Sequence, residues 1–198
     1  MGAVLAKFVS LAMMSIFIQN AIFDRALGAN VAIYASRNYS RLRGFTLAIT
    51  AMTTVSSAIS YFIEKLVLPT EYGWLFMPLI YVGIISVLYV VVMFLMWKFF
   101  HPAFKKVHKY AHLTVFNCTV IGALLLNSTY GSDLTGYIGY GFGTGIGFFL
   151  AGFLLNMAHE RLDSDKIPRL FRGYPIMLIY IGIVSLAFHI LVGYTAEF

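Results

Sequence analysis

The groups in this sequence with chemistry to offer are one thiol and a handful of polar side chains set in long apolar runs. Cys118 is the single cysteine and stands between Asn117 and Thr119 in HLTVFNCTVIGALLLN, with Gly122 one turn further on. A thiol with polar neighbours in an uncharged segment suggests a buried site rather than lipid-facing packing. The bland alternative is the small buried hydrophobe that free cysteine commonly is. A second polar stretch, QNAIFDRALGAN, puts Asp24 and Arg25 beside Gly28, with Asn30 close behind. Asp24 and Arg25 are adjacent and would not share a helical face, so each is expected to pair separately with protein, or Arg25 to snorkel toward an edge. Asp24, with Arg25, is also a candidate for ion passage, because charges inside a membrane are costly and face protein, water or each other.

The other polar residues read more plainly. Asn20, Asn117 and Asn127 suit helix-to-helix hydrogen bonds of about 1 kcal/mol, or outer donors around a metal group. Gly139, Gly143 and Gly147 recur every fourth residue and line one helix face for close packing, whereas a dinucleotide loop would follow a strand. His108 and His112 have i, i+4 spacing but straddle a predicted loop-to-helix boundary. His101, His159 and His189 are scattered, so no metal is assigned to the histidines. No constellation for acid-base or nucleophilic catalysis is recognisable.

The elements that must position these residues are membrane spans. Of 198 residues, 60% are apolar and only 11% charged, with mean hydropathy +0.83, against roughly 25% charge in soluble domains. One cysteine excludes an internal disulfide framework. The net charge of +6 does not point to nucleic acid, because the basic residues sit in short loops between apolar runs. A helix crosses a bilayer in about 20 apolar residues. Uncharged windows approach or exceed that at Gly44 to Ile63, Tyr72 to Trp97, Tyr110 to Ser132, Leu134 to Ala158 and Gly173 to Ala196. Gly2 to Tyr34 is long enough but interrupted by Gln19, Asn20, Asp24, Arg25 and Asn30.

The expected fold is therefore an all-α integral membrane protein of six transmembrane helices in one domain, residues 1–198. Arg37, Arg41 and Arg43 fall in the predicted first loop, Lys98, Lys105, Lys106 and Lys109 in the third, and Arg161, Lys166, Arg169 and Arg172 in the fifth. Only Lys7 and Lys65 lie on the opposite side. That bias places loops one, three and five in the cytoplasm and both termini outside. Tyr72, Trp74, Trp97 and Tyr110 lie near span ends, where amphipathic rings prefer the interface. Three spans on either side of loop three make an inverted 3+3 repeat, with halves of about residues 1–98 and 109–198. Such repeats place their site near the midplane between broken helices. The first helix of each half, the more polar one, is expected to be discontinuous.

FNCTVIGALLLN, together with the downstream YGFGTGIGFFLAGFLLNMAHERLDSDKIPRLFRGYPIMLIYIGIVSLAF, closely resembles the Rnf/Nqr membrane subunit family, particularly its RnfA/NqrE-type branch. FIQNAIFDRALGAN resembles it more loosely. The likeness implies a non-catalytic subunit of an ion-translocating electron-transfer complex of the prokaryotic plasma (inner) membrane, working between NADH and ferredoxin or quinone while moving Na+ or H+. It implies an oppositely oriented paralogous partner, and a 2Fe-2S cluster shared with that partner on four thiolates, two from each chain. Cys118 matches the ligand of the second half, with Asn117, Thr119 and Gly122 around it. The first-half pattern, approximately LGxC, reads Leu27, Gly28, Ala29, Asn30 here, so Asn30 holds the position of the missing ligand. Asparagine is a poor replacement for a thiolate on iron. HERLDSDKIPRLFRG resembles a docking loop for a neighbouring subunit, and is otherwise a solvated connection near lipid headgroups. Two further functions stay open on the residues: a small secondary transporter with a midplane site at Asp24 and Arg25, and a non-redox scaffold that has lost its first cysteine.

Overall fold

The computed structural model describes residues 2–69, 72–99, 113–130, 133–162 and 167–192, and every regular element among them is helical. The chain opens with α1, Gly2–Met13, which widens into a π-helical stretch, Met14–Ile18. After an irregular passage come α2, Ala29–Ser36, and α3, Tyr39–Val67. The rest is α4, Gly73–Phe99, α5, Cys118–Tyr130, α6, Leu134–Leu162, and α7, Tyr174–Val192. Residues 113–115 form a short helical piece ahead of α5.

Four helical stretches are long and apolar enough to cross a membrane: Tyr39–Val67, Gly73–Lys98, Leu113–Tyr130 and Leu134–His159. Val4–Ile18 and Tyr174–Ile190 are shorter apolar helices where the first and last of six spans were expected. The first window, Gly2 to Tyr34, is not one helix but two pieces separated by residues 19–28. The end of the last window, and the loop-three residues His101, Lys105, Lys106, His108, Lys109, Tyr110 and His112, lie outside the described residues. So does Lys166 of loop five.

The second span is longer at both ends than its uncharged window. Asn38 caps it, its side-chain oxygen accepting from the backbone N–H of Ser40 at 2.9 Å and of Arg41 at 3.5 Å, which satisfies donors the helix start leaves open. Arg41 and Arg43, expected in loop one, therefore lie in the first turns of α3. Their guanidinium groups fold over the rings of Tyr34 and Tyr39, at 5.0 and 6.0 Å, so the charge is carried on a helix without entering the core. At the other end α3 continues through Glu64 and Lys65, so Lys65 is helical rather than part of a loop.

The bundle is organised around α6, which packs against α1, the π-helical stretch, α2, α3, α5 and α7. Glycine makes this central place feasible. A Cβ on Gly139 would lie 2.7 Å from the Phe8 carbonyl oxygen, on Gly143 2.4 Å from that of Ala12, and on Gly147 3.1 Å from that of Ser15. These are the three glycines whose spacing predicted a packing face, and that face meets α1 and its π-helical continuation. A second face meets α3: a Cβ on Gly141 would lie 2.7 Å from the Thr53 carbonyl oxygen, and on Gly145 2.5 Å from the Thr50 Cα. Backbones this close gain dispersion contacts and short hydrogen bonds where lipid provides no hydrophobic drive for helices to associate. Thr53 Oγ1, for example, donates to the Gly141 carbonyl at 2.7 Å.

One buried apolar cluster runs from Ile22 to Ile181 and includes Leu42, Ile49, Ile85, Leu124, Phe148, Leu155 and Met177. Outward faces are also apolar: Trp74 and Leu79 of α4 are each 70% exposed and Ile190 of α7 is 80% exposed. Surfaces of this kind are liabilities in water and ordinary in a bilayer or against another protein.

Candidate functional site where two helix starts meet

Both polar stretches singled out in the sequence are interruptions of helix. The first is held by Asn20, which is 1% exposed. Its Oδ1 accepts from the backbone N–H of Ile22 at 3.0 Å and of Phe23 at 3.3 Å. Its Nδ2 donates to the carbonyls of Ile16 at 2.8 Å and Gly147 at 3.1 Å. One amide thus closes the end of the π-helical stretch, turns the chain and fastens it to α6, as the helix-to-helix reading of this residue expected. Ser185 of α7 donates to the Phe23 carbonyl, and Phe23 stacks on Phe188 with ring centroids 4.7 Å apart. The passage ends at Gly28, with φ +77°, which caps α2. A left-handed cap of this kind costs glycine little.

The second interruption falls at residues 116–117. Asn117 Oδ1 accepts from the Thr119 N–H at 3.2 Å, the ordinary action of an N-cap asparagine, and α5 begins at Cys118. The two interruptions lock together. Thr119 Oγ1 donates to the Leu27 carbonyl at 3.1 Å. A Cβ on Gly28 would lie 1.9 Å from Thr119 Oγ1 and 2.6 Å from Asn117 Oδ1, and one on Gly122 would lie 2.4 Å from Leu27 Cδ1. The N-termini of α2 and α5 therefore converge. Each brings backbone N–H groups without helical partners and the positive end of its peptide dipoles, which favours an anionic group such as a thiolate beside them.

Cys118 and Asn30 both come to this junction, and both are exposed. The expectation of a buried thiol is thus corrected for the single chain: Asn117 is 2% exposed and Thr119 is fully buried, and the residue between two inward-turned neighbours at a helix start is rotated outward. A second correction concerns Asp24 and Arg25. They pair with each other, Arg25 Nε to Asp24 Oδ2 at 3.3 Å, because they lie in the irregular passage, where the helical rule separating adjacent residues does not apply. Asp24 also lines a small crevice with Phe23, Ser185 and His189. Asn127 donates to the Tyr137 carbonyl at 3.1 Å, tying α5 to α6.

The donor set does not fit an equal share of a four-thiolate cluster. Such a share needs two thiolates from this chain; the junction offers one thiol and one neutral amide. Among the described residues no three His, Cys, Asp or Glu side chains come together. Sequence reading also passed over Glu64, a buried carboxyl in α3 bonded by two tyrosines. The signal was present, as the last member of a run Thr46, Thr50, Thr53, Ser57, Ser60, Glu64 at alternating spacings of four and three.

The model of a family described as Rnf-Nqr subunit, membrane protein, matches residues 8–195. A protein of Glaesserella parasuis, named as a component of the ion-translocating oxidoreductase complex, is 30% identical over 185 residues, covering 93% of this chain and 95% of that one. The protein of the same name from Psychromonas ingrahamii is 31% identical over 180 residues, 88% of this chain and 91% of its own. A component of the Na(+)-translocating ferredoxin:NAD(+) oxidoreductase complex of Acetobacterium woodii is 29% identical over 175 residues, again 88% and 91%.

Proposed function

The chain belongs to the Rnf-Nqr family of membrane subunits, and from that premise we propose that it is the RnfA-type component of an ion-translocating electron-transfer complex of the prokaryotic inner membrane. The complex would exchange electrons between NADH and ferredoxin or a quinone. The chain would form an inverted repeat of six membrane-crossing segments, with the shorter helices Val4–Ile18 and Tyr174–Ile190 as the first and last. Loops one, three and five would face the cytoplasm, and both termini the outside.

Its own part is that of a scaffold with one reactive edge. Cys118 lines, or helps to hold, an intramembrane iron-sulfur site between this chain and an oppositely oriented paralogue. A 2Fe-2S group there would supply one-electron transfer. The carrying observation is the junction: two helix N-termini meet, and the thiol at one of them points out of the chain instead of into its core. That geometry suits a ligand reaching toward a partner, with Gly28 permitting the close approach and Thr119 and Asn117 fixing the start of α5. Asn30 occupies the place of a second ligand without a thiolate's charge, so the partner would furnish the greater part of the donor set.

Purification of the complex from its native membranes tests this reading. The chain is expected to copurify with other subunits and with iron and labile sulfide, and Cys118→Ser is expected to abolish or shift the EPR signal of the intramembrane cluster. A full, unaltered signal in Cys118→Ser would sink the ligand assignment.

A further inference from the structure

Glu64 lies near the end of α3 and is 2% exposed. Its Oε1 accepts from the Tyr81 hydroxyl of α4 at 2.8 Å, and its Oε2 accepts from the Tyr137 hydroxyl of α6 at 2.5 Å. One carboxyl therefore joins three helices that are each long and apolar enough to span a membrane. Its partners are phenols, not cations. Neither of the ion pairs Lys7–Asp133 and Asp24–Arg25 includes it, and Lys65, the next residue in α3, is exposed. Tyr61, one turn back on α3, lies edge-on to Tyr137 with centroids 5.3 Å apart. From α5 the neighbourhood gains the uncharged Asn127, while Tyr130 is stacked on Tyr140 at 6.1 Å.

A buried carboxylate without a positive partner is penalised by several kcal/mol, and the relief available is a cation from outside the chain. A second observation points the same way. Ser57 Oγ and Asn127 Oδ1 are buried side-chain atoms with no hydrogen-bond partner, in residues with essentially no exposure. Ser57 faces Gly141, one turn along α6 from Tyr137, and Asn127 is bonded to Tyr137 itself. Along α3 the buried hydroxyls of Ser60, Ser57 and Thr53 follow Glu64, with Ser57 and Thr53 against Gly141 of α6, and Asn127 adds an oxygen from α5.

We infer that Glu64, flanked by Tyr81 and Tyr137, is a binding site for one monovalent cation, a proton or Na+, inside the membrane part of this chain. Coupling of that cation to electron transfer rests on the function proposed above; its binding at Glu64 does not.

A carbodiimide separates the two occupants, because it reacts only with a protonated carboxyl: the carboxyl oxygen bonds the central carbon and the proton passes to nitrogen. Membranes containing the full complex are treated over a range of pH, with Na+ or with K+, and the Glu64 peptide is followed by mass spectrometry. Labelling is expected at acidic pH and lost toward alkaline pH. Suppression by Na+ but not K+ at fixed pH identifies Na+ as an occupant, and indifference to Na+ identifies the proton alone. In proteoliposomes, the Glu64→Gln complex is expected to keep its subunits together and to lose ion movement. A Glu64 that is unlabelled at every pH with either salt overturns the binding site, and a Glu64→Gln complex with full ion movement overturns its coupling to transport. Should Glu64→Gln fail to assemble, Tyr137→Phe keeps the carboxyl and decides: a displaced pH or Na+ dependence of labelling supports the site, and an unchanged one overturns it. Absence of copurifying subunits would instead refute the function proposed above and leave the labelling result standing.

Discussion

Asn20 and Asn117 explain how a chain can leave helical geometry in apolar surroundings. Every N–H released at a break needs an acceptor, since an unpaired backbone group in hydrocarbon costs several kcal/mol, and each asparagine places its oxygen against N–H groups two or three residues ahead. Residue types alone made these positions conspicuous, but not the direction of Cys118. Outward placement of that thiol depends on where α5 starts, a matter of one residue. Gly28 supports the whole junction. Gly28→Ala is expected to cost about 1–2 kcal/mol from its left-handed φ alone, with a further loss from collision with Thr119 and Asn117. Thermal unfolding of the purified protein should report a lowered midpoint, and an unchanged midpoint would contradict the described contact of Gly28 with Asn117 and Thr119.

Among the elements, α6 was the most legible in sequence and α3 the least. The period of Gly139, Gly143 and Gly147 gave the face of α6 that meets α1, because close approach of backbones has a compositional signature. The other glycine face, Gly141 and Gly145, was not separated from it, since alternate residues of a helix fall on different sides and the partner of each side is a tertiary fact. Uncharged windows gave α3 as Gly44 to Ile63 because hydropathy stops at Arg43 and Glu64; capping by Asn38 and the tyrosine bonds to Glu64 carry the helix past both. Prediction at this scale concerns the seam between α3 and α6. Gly145→Ile places a branched side chain where even a Cβ meets the Thr50 backbone at 2.5 Å. The strain should reach at least about 1–3 kcal/mol, read as reduced accumulation of folded protein in membranes, while Gly83→Ala, with nothing within 4 Å of its Cβ position, should be tolerated.

The whole molecule combines a tightly packed centre with apolar outer faces on α4 and α7 and one exposed thiol at the meeting of two helix starts. Composition predicted the membrane setting, and the outer faces agree with it. What a single sequence withheld was which polar residues compensate one another: Asp24 with Arg25, and Glu64 with two tyrosines from helices remote in sequence. The first pairing depends on the irregular backbone between the π-helical stretch and α2, and the second on the tertiary bundle, so the spacing that set Glu64 in a polar stripe did not name its partners. The account turns on the claim that the Cys118 edge is completed by a partner protein. The direct measurement is mass-spectrometric labelling of Cys118 by a small maleimide, in the separated chain in detergent and in the intact complex. Labelling is expected to be complete in the separated chain and blocked in the complex until its subunits are dissociated. Equal labelling in both would contradict the claim.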